Sequence, residues 1–182
     1  DLQKFARANP GKLSYGSPGN GSTPHIGAEM LKSMAGIFAV HIPYRGSAPA
    51  LQDLLAGNLD FFMDPGIAAP HIRSGALRLL AVGSNKRSFL YPDTPTLAEL
   101  GLKGYDAGST HSFYAPAGTP APVIERLNRE INRILITPAV TQVIRGIGAE
   151  ATPMTPAQLA ALNAADLRRF ADIIKQQGIR GD

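Results

Sequence analysis

The sequence predicts an α/β protein built on a mainly parallel sheet with helices on both faces. Three observations carry this. Over residues 1–110, short apolar runs alternate with helical stretches of about ten residues, the pattern of βαβ units. The run Leu77–Gly83 is almost continuously apolar, as in a parallel strand covered on both sides. Turns rich in glycine and proline separate the runs.

In chain order, a helix over Leu2–Ala8 leads to a strand over Leu13–Gly16, a glycine-rich turn and a helix over Pro24–Ala35. A strand over Phe38–Ile42 follows, then the turn Pro43-Tyr44-Arg45-Gly46-Ser47. Next comes a helix over Ala48–Ala56, with Ser47 as N-cap and Gly57 as stop signal. A strand over Leu59–Asp64 precedes Pro65-Gly66, and a further helix runs through Arg73 to Gly75 before the apolar run Leu77–Gly83. Beyond Pro116-Ala117-Gly118-Thr119-Pro120 the pattern becomes helical. Val123, Ile124, Leu127, Ile131, Ile134 and Leu135 fall at helical spacing, with Glu125–Arg129 as a favourable i,i+4 pair. Thr155-Pro156-Ala157-Gln158 reads as a capping box opening a last helix that ends at Gly178. The chain therefore divides into an α/β part, 1–110, and a helical part, 111–182.

The densest chemical signal is Tyr15-Gly16-Ser17-Pro18-Gly19-Asn20-Gly21-Ser22-Thr23-Pro24-His25. Its glycines permit a tight turn, Thr23 reads as an N-cap and Pro24 as the first helical residue. Such a turn aims backbone N–H groups and a partial positive charge at one point, which suits a carboxylate or phosphate. His25 is placed to donate to that anion. A P-loop is excluded because Gly21 is followed by Ser22 rather than lysine. A dinucleotide fingerprint from Gly19 would need glycine where Pro24 stands, and a nucleophile elbow at Ser17 would need glycine where Tyr15 stands. Two further strand-to-helix turns carry polar residues. Arg45, in Tyr44-Arg45-Gly46-Ser47, can pair bidentately with a carboxylate. Asp64 can orient Arg45, cap the next helix or accept from a ligand. In an open parallel sheet all these turns lie at the carboxyl ends of the strands, where ligands bind.

Composition narrows the classes. The 182 residues carry a net charge of +4 from scattered basic side chains, with no basic stripe or nucleic-acid module. There is no cysteine, hence no disulfide or thiolate metal site. The four histidines His25, His41, His71 and His111 are far apart in sequence and show no metal-ligand spacing; His41 and His71 read as structural. No metal set, cofactor loop or nucleophile emerges. No run approaches the length of a membrane span. Residues 1–7 read as the middle of an amphipathic helix, so the expectation is a mature or shortened chain with no signal peptide of its own.

From end to end the chain resembles the solute receptors of tripartite tricarboxylate transporters, the TctC or Bug-type binding proteins. The resemblance is carried by Ala8–Leu13, Tyr15–His25, His41–Ala50, Leu79–Ser84, Pro92–Thr96, Ala115–Pro120 and Arg126–Asn132 in this order and spacing. It implies part of a two-lobed type-II (Venus-flytrap) fold, periplasmic, without catalysis or cofactor, that closes on a small carboxylate and delivers it to membrane transporter subunits. Residues 1–110 would be the second lobe lacking its first strand, and residues 111–182 the crossover and C-terminal helices packing toward the first lobe. Carried over by position, Ser17, Asn20, Gly21, Ser22, Thr23 and His25 match the second-lobe carboxylate clamp, and Tyr44, Arg45, Gly46, Ser47 and Asp64 match further cleft positions. The family more often has lysine at the place of Arg45, and a Trp-Phe-Gly-like run where Thr110-His111-Ser112 stands. A sheet lacking a strand exposes unpaired backbone, so self-association is expected. The alternatives are an enzyme using His25 and Asp64, or a cytosolic ligand-sensing domain, on the same scaffold.

Overall fold

In the computed structural model of the protein, which describes residues 2–180, the central strand is β1 (Ser14–Ser17). It lies between β2 (Val40–Pro43) and β3 (Phe61–Phe62) in the order β2-β1-β3. Both pairings are parallel, and their register aligns Tyr15 with His41 on one side and with Phe61 on the other. Side chains alternate across a strand, so these three aromatic rings share one face with Ser17, while Gly16 faces the opposite side.

Helices α1 (Leu2–Ala8) and α2 (Thr23–Ala35) pack on the Tyr15 face, where Ala6, Leu13, Tyr15, Ala28, Ala35, Ile37 and Phe61 form a buried cluster. The end of α2 is closed by Gly36 in the left-handed region, at φ 60°. Arg7 reaches from α1 to donate from Nε and Nη2 to the Ala35 carbonyl at 3.0 and 2.7 Å. Helix α3 (Ser47–Leu55) packs on the Gly16 face. A Cβ on Gly16 would lie 2.6 Å from Leu59 Cδ1 and 3.3 Å from Ala50 Cβ, so the missing side chain is what lets helix and strand approach. Helices thus flank both faces of a parallel sheet, as the sequence predicts. After α4 (Ala69–Arg73), a second cluster joins Ile26, Met30, Tyr105 and Ile173, and the Tyr105 hydroxyl donates to the Gly27 carbonyl at 2.8 Å.

The strand expected over Leu77–Gly83 does not form. Only Val82 makes a bridge, to Thr96, and Leu80 is 52% exposed. An apolar run favours burial, but a strand also needs a neighbour for its N–H and C=O groups. Here the Val82 N–H donates to Pro95 and the Val82 carbonyl accepts from Leu97, both at 2.9 Å, while β3 pairs with β1. The strand expected over Leu59–Asp64 shortens to Phe61–Phe62 because Asp64 turns away to cap the loop after it. Both other strands start one or two residues later than expected, running into their turns.

Residues up to Ser109 together with those from Phe170 form one compact unit, and Thr110–Arg169 form another. The second unit holds α5 (Ala121–Leu135), α6 (Pro138–Gly146) and most of α7 (Pro156–Gln176). The capping box is present: Thr155 N–H donates to Gln158 Oε1 at 2.8 Å, and Gln158 N–H to Thr155 Oγ1 at 3.2 Å. Helix α6 has no counterpart in the sequence reading, although Thr137-Pro138 supplies an N-cap position and a first-turn proline. The expected Glu125–Arg129 pair is not made. Arg129 and Arg133 both turn to Glu130, at 3.9 and 3.0 Å, because one carboxylate lies within reach of both exposed guanidinium groups. Neither α5 nor α6 buries a residue.

Candidate functional site

Because the strands are parallel, the turns β1–α2, β2–α3 and β3–α4 leave the same edge of the sheet. The first two are stitched together. Tyr44 N–H donates to the Ser17 carbonyl at 2.9 Å, and Gly46 N–H to the Pro18 carbonyl at 3.2 Å. Gly19 at φ 137°, Gly21 at φ 73° and Gly46 at φ 119° hold conformations that side chains resist, so these turns depend on glycine.

Most donors of the first turn are spent on the turn itself. Gly19 N–H donates to Ser17 Oγ at 3.2 Å, Gly21 N–H to His25 Nδ1 at 3.1 Å and Ser22 N–H to the Gly19 carbonyl at 3.3 Å. The N-cap is Ser22, not Thr23: its Oγ accepts from His25 N–H at 3.4 Å and donates to the Gly19 carbonyl at 2.7 Å. Ser47 likewise is the first residue of α3 rather than its cap, a place taken by Gly46. Each shift by one residue has the same consequence. Among the described residues, Thr23 and Ser47 have hydroxyls and N–H groups without a protein acceptor, and the exposed Arg45 guanidinium has no partner.

The His25 ring spends Nδ1 on the backbone of the turn itself. Its Nδ1 accepts from Gly21, which places the proton on Nε2, 3.8 Å from Glu29 Oε1. The ring stacks on His41 at 3.9 Å between centroids and 11° between planes, although the two are sixteen positions apart. His41 stacks in turn on Tyr15 at 4.9 Å, and its Nε2 lies 2.6 Å from Ser17 Oγ. Glu29, buried on α2, accepts from the Tyr15 hydroxyl at 2.5 Å and from Lys32 Nζ at 2.6 Å. Burial lowers His25 below the ordinary imidazole value, against the pull of Glu29. Burial and then the neighbouring His25 take His41 down to about 4. Burial and donation to Glu29 push Tyr15 far above an ordinary phenol. The sequence reading missed this cluster. Its signals were the His25–Glu29 and Glu29–Lys32 spacings of four and three on one helix.

Ser17 and His41 stand at nucleophile-to-base distance, but Ser17 is fully buried and also within 3.0 Å of the Gly19 carbonyl. Tyr44 turns its hydroxyl to Asp53 Oδ2 at 2.7 Å, a bond that raises the phenol to about 12, and so braces the loop. Asp64 makes no ion pair with Arg45 and caps its own loop instead. Its Oδ1 accepts from Ile67 and Ala68 N–H at 3.0 and 3.1 Å, bonds that favour the ionised carboxylate. Among the described residues no group of acidic, histidine or cysteine side chains has metal-site geometry.

An open parallel sheet with its donor-bearing turns gathered at the carboxyl edge is the arrangement of an α/β ligand-binding fold. The chain belongs to the tripartite tricarboxylate transporter family receptor (TctC) family, whose model matches residues 1–179. It is 38% identical over 175 residues to the UPF0065 protein of the tcbD-tcbE intergenic region of Pseudomonas sp. strain P51, covering 95% of this chain and 52% of that one. Among solved structures it is similar to R. palustris Rpa4515 with adipate, at TM-score 0.90 and 35% identity, covering 98% of this chain and 60% of the other. It is also similar to the periplasmic binding protein BugD, at TM-score 0.88 and 32% identity, covering all of this chain and 62% of the other. The chain thus spans about half the length of that curated relative.

Proposed function

We propose that the protein is a periplasmic solute receptor, without catalytic activity, that captures a small carboxylate for the membrane subunits of a tripartite tricarboxylate transporter. The observation that supports this most is the set of unpartnered donors at one sheet edge: Thr23, Ser47 and Arg45. Buried polar groups are normally paired within a protein. Donors gathered at an accessible edge, next to a hydrogen-bonded network, suit a ligand that brings oxygen acceptors and negative charge. In this reading Ser17, Gly21, Ser22 and His25 shape the clamp, Asn20, Thr23, Arg45, Gly46 and Ser47 face the ligand, and Tyr44 and Asp64 hold the adjoining loops. Residues 1–110 act as the second lobe, and residues 111–182 as the crossover and C-terminal helices. The bound adipate of Rpa4515 supports a dicarboxylate or similar acid as ligand. A polypeptide of these 182 residues alone associates with a second copy through its exposed apolar surface.

Titration calorimetry with adipate and other small dicarboxylates tests the reading. Arg45→Ala removes a charge-assisted bond worth about 1.5–3 kcal/mol, so affinity falls roughly tenfold or more. Because Arg45 is exposed and has no partner among the described residues, stability stays unchanged. Unaltered affinity in that variant, or chemical conversion of the ligand, overturns the reading.

A further inference from the structure

We propose that neutral His25 is the positioning residue of the carboxylate turn, its Nδ1 lone pair holding the Gly21 N–H, so that protonation of the ring releases the turn. The inference rests on the carboxylate reading for its effect on affinity, but not for the latch itself. The Gly21 N–H to Nδ1 bond of 3.1 Å requires an unprotonated Nδ1. An imidazolium would set a second N–H against that of Gly21, and one of the two must move. Gly21, at φ 73°, is the residue of the turn with the backbone freedom to do so.

Groups from every packed element hold the ring in this state. His41 of β2 covers its face at 3.9 Å, and is itself fixed by Ser17 Oγ at 2.6 Å. Tyr15 of β1 stacks at 6.4 Å. Glu29 of α2 would favour an imidazolium, but it already receives the Tyr15 hydroxyl and Lys32 Nζ. Lys32, which with Arg180 from the segment after α7 lines the same recess of about 400 Å³, repels a second cation. The N-terminus of α2, where His25 sits in the first turn, disfavours positive charge as well. The balance keeps the imidazole neutral, in agreement with its lowered pKa.

The test is nitrogen-detected NMR of the intact protein, read beside adipate calorimetry between pH 7.5 and 4. At pH 7.5 the His25 ring is expected to be neutral with its proton on Nε2. The Gly21 amide should shift with the same midpoint as the ring, below the ordinary histidine value of about 6.5. His25→Phe keeps the ring stack and removes the acceptor. Its Gly21 amide should stay fixed over this range, and its adipate affinity at pH 7.5 should be about tenfold weaker, the loss expected for one buried acceptor. The ratio of the two affinities cancels ionisation of adipate and should approach one as His25 titrates. A proton on Nδ1 at pH 7.5, or a Gly21 amide indifferent to the ring, overturns the latch even if the variant fails to fold. A constant affinity ratio overturns its effect on the ligand. Absence of adipate binding at pH 7.5 in a latch-intact protein counts against the carboxylate reading alone.

Discussion

The Tyr15 hydroxyl donates to Glu29 Oε1 at 2.5 Å across the β1–α2 interface, and both residues are buried. With Lys32 on the same carboxylate, this bond ties the sheet to its covering helix through charge rather than through apolar contact alone. Removing one partner of such a group costs more than the bond returned. Tyr15→Phe should lower the unfolding free energy by about 1–2 kcal/mol. Glu29→Ala strands both the phenol and the ammonium and should cost about 3–5 kcal/mol. Urea denaturation of the two variants checks the order; equal, small losses would place the network outside the stabilising core.

Gly16→Ala probes the other face of the same strand. The added Cβ would meet Leu59 Cδ1 at 2.6 Å, which can rotate, and Ala50 Cβ at 3.3 Å, which cannot. Overpacking of this kind costs about 1–3 kcal/mol. The denaturation midpoint should fall with the slope unchanged.

Acid should weaken the first unit before carboxylates titrate. His25 and His41 are lowered in the folded state, His41 to about 4, while the unfolded chain binds protons near the ordinary histidine value of about 6.5. The unfolded state therefore gains protons first as pH falls. The stability these residues contribute is complete above about pH 6.5 and is lost on descending toward pH 4. Each pH decade of displacement is worth about 1.4 kcal/mol, and partial exposure of His41 leaves roughly 1–2 kcal/mol after screening. Melting temperature measured from pH 7.5 to 4 should fall, and His41→Gln should flatten that dependence. A flat profile in the unaltered protein would contradict the stacked neutral pair.

The sequence shows these turns more clearly than it shows what supports them. The glycine pattern and Pro24 place the β1–α2 turn within a residue, because φ preferences act locally. Ser22 displaces Thr23 as cap since either hydroxyl can serve, and only the path of the chain selects one. The stack of His25 on His41 depends on strand register, which no local pattern encodes. Leu77–Gly83 shows the same limit from the opposite side: its hydropathy is that of a buried strand, but a strand is defined by its neighbour.

The apolar residues of α5 and α6 lead to the last prediction. Leu127 and Ile134 of α5 are 47% and 46% exposed, Val143 of α6 is 70% and Ile147, just past its end, 59%, and neither helix has a fully buried residue. Spacing of this regularity on a helix suits a face that covers a core, and most helical stability in proteins comes from packing such a face. A polypeptide of these 182 residues therefore leaves several large apolar side chains of this region in water, which favours their burial against a second copy. Sedimentation velocity should show a concentration-dependent species larger than 19.2 kDa. Leu127→Lys with Val143→Lys should shift it toward the monomer, while the tertiary signal of Tyr15 and Tyr105 in the first unit stays unchanged. A single monomer at high concentration, melting cooperatively, would show that α5 and α6 are stable without a second copy.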